Sequence, residues 1–453
     1  MPTSDGARRW WATLSESISS RIWPLPVAAI VAAVIAGILI PILDIAVDER
    51  LPAELEAILF SGGTDAARAV LTTIAGSLIT ATSLTFSLTV VALQLASSQA
   101  SPRLLRTFAS DRMVHVTLAT FLGTFAYSLT VLRTVSDTGG AVPRLAVTVA
   151  FVLTLTSVLM LVLFLAHLAS RLRVETMLRD VHRDTTRTIA LVGADDRPSA
   201  AAPDRPVGAR AVLARRSGFV TGIDRDALVE AAREHHVVVR ELRGIGASVI
   251  EGTPVAEWWP SSTTTDAAAD RPTRADRSAL ESAVIDAYHV DYERTSPEDI
   301  GFGLRQLADI AAKALSPGVN DPTTAVHALS HIAAVLADLA DLPEAAPAYA
   351  DEDGTARVVP VHHDFAELVE VGLQQVRRYG ASDPDVATRL FDLIDDVGRH
   401  STRAEHRRVL EDQLDRLVAS VAAADYDAHE RAAFARLEGR ARIVLAQAGS
   451  TAE

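Results

Sequence analysis

The sequence predicts an α-helical membrane protein, with a four-helix transmembrane region followed by a mixed α/β, mainly helical cytoplasmic domain. Two observations predict this fold class. Four apolar stretches near the N-terminus are long enough to cross a bilayer, and the balance of charge changes along the chain. Residues 1–173 carry twelve basic and ten acidic side chains, whereas residues 174–453 carry 31 basic and 47 acidic ones. The two parts are therefore expected to face different surroundings.

The apolar stretches are interpreted as transmembrane helices because a hydrocarbon layer of about 30 Å takes about 20 helical residues to cross. They cover residues 22–43, 69–96, 113–132 and 145–168. The first stretch follows Arg8 and Arg9, as the apolar part of a secretory signal would, but it is too long and no small-residue cleavage site follows it. We interpret it as a retained helix.

The arginines near these stretches predict the orientation. Eleven of them precede the first stretch, separate the second from the third, or follow the fourth: Arg8, Arg9, Arg21, Arg103, Arg106, Arg112, Arg171, Arg173, Arg179, Arg183 and Arg187. The opposite loops hold Arg50, Arg68, Arg133 and Arg144. Because arginine-rich loops stay in the cytoplasm, the N-terminus and the C-terminal domain are both expected there. Lys313 is the only lysine, a bias typical of GC-rich bacterial genomes, so we expect the bacterial cytoplasmic (inner) membrane.

Composition and missing motifs exclude several kinds of protein. The acidic C-terminal part argues against a nucleic-acid partner, which needs a basic footprint. The absence of cysteine removes disulfides and thiolate metal sites. No phosphate-binding loop, dinucleotide-binding turn, nucleophile elbow or zinc-ligand spacing occurs, so we predict no cofactor and no metal. Enzymatic activity is disfavoured but not excluded, because carboxylate chemistry on a helical scaffold leaves no short signature.

The second apolar stretch is unusually polar on one face. At about 100° per residue, seven side chains fall in an arc of roughly 80°: Thr73, Gly76, Thr80, Ser83, Ser87, Gln94 and Ser98. Such a face could line a water-filled path, which makes Thr73, Thr80, Ser83, Ser87 and Gln94 candidate pore-lining residues. The alternative is packing, since small hydroxyl residues let helices approach closely and bond to each other or to their own backbone.

The chain divides into six segments by composition. Residues 1–21 form a cytoplasmic N-terminal segment and residues 22–172 the transmembrane domain. A connecting helix and linker cover 173–210, a small strand-containing module 211–259, a mobile linker 260–278, and a helical cytoplasmic domain 279–453. Within the module, strands are predicted at 217–223 and 237–242 on either side of a helix at 225–235. Later in the chain, Ser296 and Pro297 predict the start of a helix that runs to about Leu315.

The most distinctive segment is a helix-to-helix turn at residues 316–321, in the sequence Ser-Pro-Gly-Val-Asn-Asp-Pro. Asp321 is expected to cap a new helix whose first residue is Pro322. The turn and the helix before it gather polar groups that could bind a small ligand or an anion: Arg305, Asp309, Lys313, Ser316, Asn320, Asp321, Thr323 and Thr324. The alternative is purely structural, because a cap, a proline and a glycine are what a sharp αα-turn needs.

These residues carry a resemblance to a known family. The Ser-Pro-Gly-Val-Asn-Asp-Pro turn, the preceding Asp-Ile-Gly-Phe-Gly-Leu-Arg-Gln-Leu-Ala-Asp-Ile at 299–310 and the strand at 217–224 resemble the predicted membrane proteins of unknown function grouped as DUF2254. The resemblance covers nearly the whole chain, including the four apolar stretches. It implies a membrane location and an architecture, and it implies no activity for any residue.

Histidines at helical spacing are the remaining candidates for metal binding. His327 and His331 stand four residues apart, a spacing that can place two imidazoles on one face of a helix. No further ligand accompanies them in the sequence, so we interpret them as solvated surface residues.

Two functions from different classes fit these features. The first is an oligomeric channel- or transport-like protein with a cytoplasmic regulatory domain, since four helices alone are too few to enclose a wide pore. We expect a homo-oligomer in the lipid bilayer, with an ion or small molecule as its unidentified ligand. The alternative is a membrane-tethered sensor or scaffold whose cytoplasmic domain binds a ligand or a partner.

Overall fold

The computed structural model describes residues 24–47, 59–99, 111–135, 142–171, 173–195, 197–261, 274–294, 299–343 and 345–447. The chain forms two compact units, Met1–Thr176 and Met177–Glu453. Several residues used above lie outside the described residues: Arg8, Arg9, Arg21, Arg50, Arg103, Arg106, Ser296, Pro297 and the side chain of Ser98.

The described part of the N-terminal unit contains four long helices, one at each predicted apolar stretch. They are α1 (Pro24–Val47), α2 (Thr64–Gln99), α3 (Arg112–Leu132) and α4 (Arg144–Arg171). Helix α3 is central and packs against the other three, with Phe121 and Tyr127 buried at the contact. The outer faces of α1 and α4 are exposed and apolar: Val31, Ile35, Ile42, Phe151, Leu155, Leu159 and Val162.

A fifth helix, α5 (Val174–Gly193), begins at the end of this unit and continues into the next one. Helix α4 ends at Arg171, and α5 lies in the segment where the sequence predicts a connecting helix. The buried side of α5 includes Leu178, Val181 and Ile189.

Two sheets occupy the first part of the C-terminal unit. The strands are β1 (Ser199–Ala200), β2 (Arg210–Leu213), β3 (Gly218–Ile223), β4 (Val237–Glu241), β5 (Ser248–Val249), β6 (Pro254–Pro260), β7 (Tyr288–Asp291), β8 (Ala348–Ala350) and β9 (Ala356–Val359). Six strands pair in the order β1-β8-β9-β4-β6-β2 and three in the order β5-β3-β7. The β4–β9 pair is parallel and the other pairs are antiparallel.

The helices between these strands complete the core of this region. Helices α6 (Arg225–Glu234) and α7 (Arg274–Ala287) pack against each other and contact the strands. The core contains Leu228, Val239, Trp258, Leu280 and Val358, so both sheets and both helices contribute to it.

The predictions for β3, α6 and β4 are confirmed to within a residue or two at each boundary. The sequence did not predict β1, β2, β7, β8 and β9, and four of these lie outside residues 211–259. Each has only two to four residues, which is too short for an alternating pattern to be recognised. Their stability comes from pairing with strands distant in the chain, as Val239 of β4 pairs with Val358 of β9.

A helical region follows, with the helices α8 (Ile300–Ala314), α9 (Pro322–Ala340), α10 (Phe365–Gly380), α11 (Pro384–His400), α12 (Ala404–Ala422) and α13 (Ala428–Gln447). Helix α9 packs against α8 and α11. Ser296 and Pro297, the predicted start of α8, lie outside the described residues. Within the described residues the helix begins at Ile300, and the side chain of Asp299 accepts a hydrogen bond from Phe302 N at 2.8 Å.

Five described helices are long and apolar enough to cross a membrane, by length and composition alone. They are α1 to α4 and, in addition to the four stretches chosen from sequence, α9. Half of the most apolar part of α9 is buried inside its own unit.

Candidate functional site

The polar face of α2 points away from the other helices of the N-terminal unit. Its candidate pore-lining residues are all exposed: Thr73, Thr80, Ser83, Ser87 and Gln94. The buried face of the same helix carries Leu71, Ile74 and Leu78 and lies about 180° around the helix, at 100° per residue. A single copy therefore does not enclose the predicted polar face.

Three of these hydroxyls bond to their own helix. The Oγ1 of Thr73 donates to Ala69 O at 2.7 Å, Thr80 Oγ1 to Gly76 O at 3.1 Å, and Ser83 Oγ to Ile79 O at 3.0 Å. Each oxygen still has acceptor capacity, because a hydroxyl that donates one bond can accept others. The α2 polar face, defined as Thr73, Gly76, Thr80, Ser83, Ser87 and Gln94, thus presents weakly polar groups outward.

The interior of the same unit also holds polar groups that the sequence did not single out. Thr124 Oγ1 and Ser157 Oγ lie 3.2 Å apart between α3 and α4, and both residues are buried. Thr85 and Ser128 are fully buried, and within the described residues their hydroxyl oxygens have no hydrogen-bond partner. Thr85 lies on the side of α2 opposite the polar face, where the sequence pattern alone gave it no role.

The predicted turn at residues 316–321 is confirmed as a helix-to-helix connection. Helix α8 ends at Ala314, Asp321 is the N-cap of α9, and Pro322 is its first residue. The turn closes through Asp321 N donating to Ala314 O at 2.8 Å and Asn320 N to Ser316 O at 2.9 Å. Asn320 adopts a left-handed backbone with φ 49°, a conformation that asparagine tolerates better than most residues.

Polar side chains of the turn form hydrogen bonds within the turn and with the ends of the two helices. Asp321 accepts from Thr324 N at 3.1 Å and from Thr324 Oγ1 at 2.6 Å. These bonds, with a smaller contribution from His327, hold the pKa of the Asp321 carboxyl below its ordinary value. The hydroxyl of Ser316 donates to Lys313 O at 2.7 Å.

The remaining residues predicted to bind a ligand do not all lie together at the turn. Arg305, Asp309 and Lys313 are half-buried at intervals of one turn along α8, whereas Asn320 and Thr323 are exposed. The side chains of the turn thus fit its role as a connection, and ligand binding there stays a prediction.

Buried ion pairs in the C-terminal unit are the strongest electrostatic features that the sequence did not predict. Arg225 of α6 donates two hydrogen bonds to Glu241 of β4, from Nε to Oε1 at 3.0 Å and from Nη2 to Oε2 at 3.2 Å. Glu241 Oε2 also accepts a hydrogen bond from Val361 N at 2.9 Å. Glu241 is 1% exposed. The only sequence signal is an acid that ends an apolar strand.

A second pair lies where the strands meet the helices. Arg294 Nε donates to Asp299 Oδ2 at 2.5 Å and Arg294 Nη2 to Asp299 Oδ1 at 2.9 Å, and Asp299 is buried. Gly246, with φ +84°, leaves room for this pair, since a Cβ there would lie 2.8 Å from the Asp299 carboxyl carbon. Both carboxylates are satisfied by protein groups, so the pairs are suited to holding elements together.

A cavity of about 270 Å³ lies between α9 and α11. Its floor is made of alanines, including Ala333, Ala334 and Ala337 of α9, and its rim carries charged groups of α11. Each basic side chain of the lining has an acidic partner: Arg389 bonds to Asp396 at 2.9 Å, Arg399 to Asp395 at 2.9 Å, and His400 to Asp341 at 2.9 Å. The guanidinium charges of the lining are thus already paired. Among the described residues, no group of three or more His, Cys, Asp or Glu side chains could hold a metal ion.

Comparisons with known proteins agree with the sequence resemblance. The family model for predicted membrane proteins (DUF2254) matches residues 19–396. Uncharacterised proteins of Mycobacterium bovis and Mycobacterium tuberculosis are each 32% identical over 446 residues, which cover 96% of this chain and 82% of the relative. No solved structure matches the chain. The chain belongs to the DUF2254 family of predicted membrane proteins.

Proposed function

We propose that this protein is a homo-oligomeric, channel- or transport-like protein of the bacterial inner membrane. Helices α1 to α4 span the bilayer, the N-terminus and the C-terminal unit are cytoplasmic, and the C-terminal unit regulates the path. The observation that carries this proposal is the outward direction of the α2 polar face.

A helix face that contacts lipid is expected to carry few hydroxyl groups, because lipid tails cannot form hydrogen bonds with them. The outer face of α1 follows this rule, with side chains such as Ile35 exposed, and the outer face of α4 is apolar apart from Thr156, whose hydroxyl donates to Val152 O at 2.9 Å. The α2 polar face departs from it over about six turns, from Thr73 to Gln94. Three of these hydroxyls already donate to their own helix, so water or a polar group of another helix would use their remaining acceptor capacity. Copies of the chain arranged around this face would supply either.

The spacing along this face supports contact between copies. Small residues recur at Ala69, Thr73, Gly76, Thr80, Ser83 and Ser87, with intervals that alternate between four and three. This is the spacing of a left-handed helix pair, and small residues let membrane helices approach closely. A Cβ added to Gly76 would meet no atom within 4 Å, so packing within one chain does not require this glycine.

Four spans, rather than five, fit the character of α9. This helix starts at a polar turn, buries Ala325, Leu329, Ile332 and Leu336 against its own unit, and has ion pairs beside it. Its apolar character is accounted for by a role in a water-soluble core. The arginine distribution supports cytoplasmic placement of both termini.

Single introduced cysteines test the proposal, because the chain has no native cysteine. The full-length protein is reconstituted in liposomes, and K⁺ and Cl⁻ flux is measured before and after a water-soluble thiol reagent is added. Flux should fall on labelling at Thr80→Cys, Ser83→Cys or Ser87→Cys. It should not change at Leu159→Cys, a position that is also exposed but lies on the outer face of α4.

Substitution provides the matched comparison. Ser83→Leu should reduce flux, whereas Phe86→Leu, at an exposed position outside the polar face, should not. Tight vesicles with the unmodified protein would reject the channel function and favour a membrane-tethered sensor or scaffold. Flux that is blocked at Leu159→Cys as strongly as at Ser83→Cys would remove α2 from the path.

A further inference from the structure

Two histidines meet where α5 packs against the helical part of the C-terminal unit. The ring centroids of His182 in α5 and His331 in α9 lie 5.0 Å apart, with the ring planes tilted by 53°. His327 precedes His331 by one helical turn on the same side of α9. Three imidazoles are therefore gathered at one helix contact, although they come from sequence positions about 150 residues apart.

Two carboxylates near this contact, those of Asp338 and Asp321, accept hydrogen bonds from threonines rather than from the histidines. Asp338 of α9 accepts from Thr186 of α5 at 3.5 Å, and Asp321 faces His327 but is bonded to Thr324. From α8, the contact with α5 is made by Gly303, next to Thr185. From α11, Arg389 donates to Ser330, one residue before His331, and is paired with Asp396.

Neither ring has a carboxylate partner. Within the described part of the chain, neither His182 nor His331 takes part in an ion pair, and the Nδ1 atom of His182 is buried without a hydrogen-bond partner. Two neutral imidazoles can be accommodated in this arrangement. Two imidazolium ions would be like charges at close range with no compensating carboxylate.

The sign of the pH effect follows from this environment. Burial, and then His182 and His327, lower the pKa of His331 from its ordinary value. The form in which α5 is separated from α9 would expose the His331 ring, and this imidazole would therefore bind a proton at a higher pH than in the packed form. The packed form is favoured above about pH 6.5 and loses stability as the pH falls below that value.

We propose that the contact between His182 and His331 is a proton-sensitive joint, which holds α5 on α9 at neutral pH and releases it in mild acid. Helix α5 directly follows α4 in the chain, so this joint lies in the segment that connects the membrane helices to the C-terminal unit. This proposal is independent of the proposed channel function, because it concerns only the packing of α5 on α9.

Distance measurements between spin labels on α5 and α9 test this directly in the full-length protein in detergent. Labels are attached at Arg187→Cys and Ala334→Cys, which are both exposed. At about pH 8 we expect one short distance. At about pH 5 the distribution should gain a longer component, which disappears when the sample is returned to pH 8.

Histidine variants test whether protonation of His182 and His331 causes the longer distance. The double variant His182→Gln, His331→Gln should keep the short distance at both pH values, because glutamine cannot be protonated in this range. His429→Gln, at an exposed histidine on α13, should behave like the parent protein. Thermal unfolding at pH 8 establishes that each variant folds, and a variant that fails is replaced by the single substitution His331→Gln.

Two results would overturn the proposal. One is a distance distribution in the parent protein that is the same at pH 5 and pH 8. The other is an acid-induced longer component that persists in the glutamine variants, which would place the proton-binding group elsewhere.

Discussion

The carboxylate of Asp44 in α1 accepts a hydrogen bond from the backbone N–H of Leu145, the second residue of α4, with 2.9 Å between Oδ2 and N. The first turn of a helix leaves N–H groups without partners, and a carboxylate nearby also interacts favourably with the helix dipole. Helix α4 thus receives its capping group from a different helix, 101 residues earlier in the chain. Asp44 is buried, so this contact fixes the end of α1 against the start of α4.

We expect Asp44→Ala to destabilise the N-terminal unit by about 1 kcal/mol or more, the usual cost of losing a capping side chain. Asp44→Asn retains an acceptor oxygen and should cost less. Thermal unfolding in detergent measures both. Equal losses in the two variants would show that the charge, rather than the hydrogen bond, stabilises this end of the unit.

Breaking the Arg225–Glu241 pair should have a larger effect. Removing one partner of a buried pair leaves a charge without compensation, and such changes cost about 3–5 kcal/mol. Glu241→Gln should therefore shift urea unfolding strongly, followed by the fluorescence of Trp258 and Trp259 in the adjacent strand β6. The control is Glu230→Gln, which breaks an exposed pair with Arg233 and should shift urea unfolding little, because solvent screens exposed charges. Similar shifts for both variants would contradict a special role for the buried pair.

The cap at Asp321 makes a pH-dependent contribution to stability. Asp321→Ala should cost about 1 kcal/mol, whereas Thr323→Ala, at an exposed neighbour, should change little. Because the bonds from Thr324 lower the pKa of Asp321, the stabilisation is present above the unfolded value of about 4 and is lost as the pH falls further. The difference in melting temperature between the parent and Asp321→Ala should accordingly shrink between about pH 5 and pH 3. A constant difference would mean that the ionised carboxylate is not the stabilising species.

Close packing of α5 on α8 depends on the lack of a side chain at Gly303. A Cβ there would overlap the hydroxyl of Thr185 and lie 2.9 Å from its Cβ. Gly303→Ala should therefore destabilise the C-terminal unit by about 1–3 kcal/mol, the usual cost of overpacking.

Gly439→Ala is the matched control for this substitution. Gly439 lies inside α13, and a Cβ there would meet no atom within 4 Å. Alanine should stabilise that helix by about 0.5–1 kcal/mol. Melting temperatures that move in the same direction for both variants would contradict the packing explanation for Gly303.

Local patterns were enough to predict the helices and the turn. Each apolar stretch of about 20 residues is expected to form a helix, because a helix pairs all the backbone N–H and C=O groups of the segment by hydrogen bonds within it. The turn was predictable because Asp321 and Pro322 act within one helical turn of each other. In contrast, the sequence did not predict Asp299 as the N-cap of α8, because its burial and its pair with Arg294 are tertiary features.

The candidate sites were predictable only in part. Helical spacing placed Thr73, Thr80 and Ser83 on one face, but the same spacing could not tell whether that face points inward or outward. That depends on which side of α2 packs against α3, and this is decided by Leu71, Ile74 and Leu78 together with their partners. The pairs Arg225–Glu241 and His182–His331 leave no local signal, because their members come from different elements.

The sequence by itself determined where the long helices lie, how charge is distributed along the chain and which residues cap α9, since these properties depend on neighbours within a few residues. Only the tertiary structure decided that the α2 polar face is exposed, that Asp44 caps α4, that short strands from distant positions complete the sheets, and that His182 meets His331. The physical reason is the range of the interactions. Hydrogen bonds within a helix and hydrophobic periodicity are local, whereas burial, ion pairing and helix contacts join residues that lie up to about 150 positions apart.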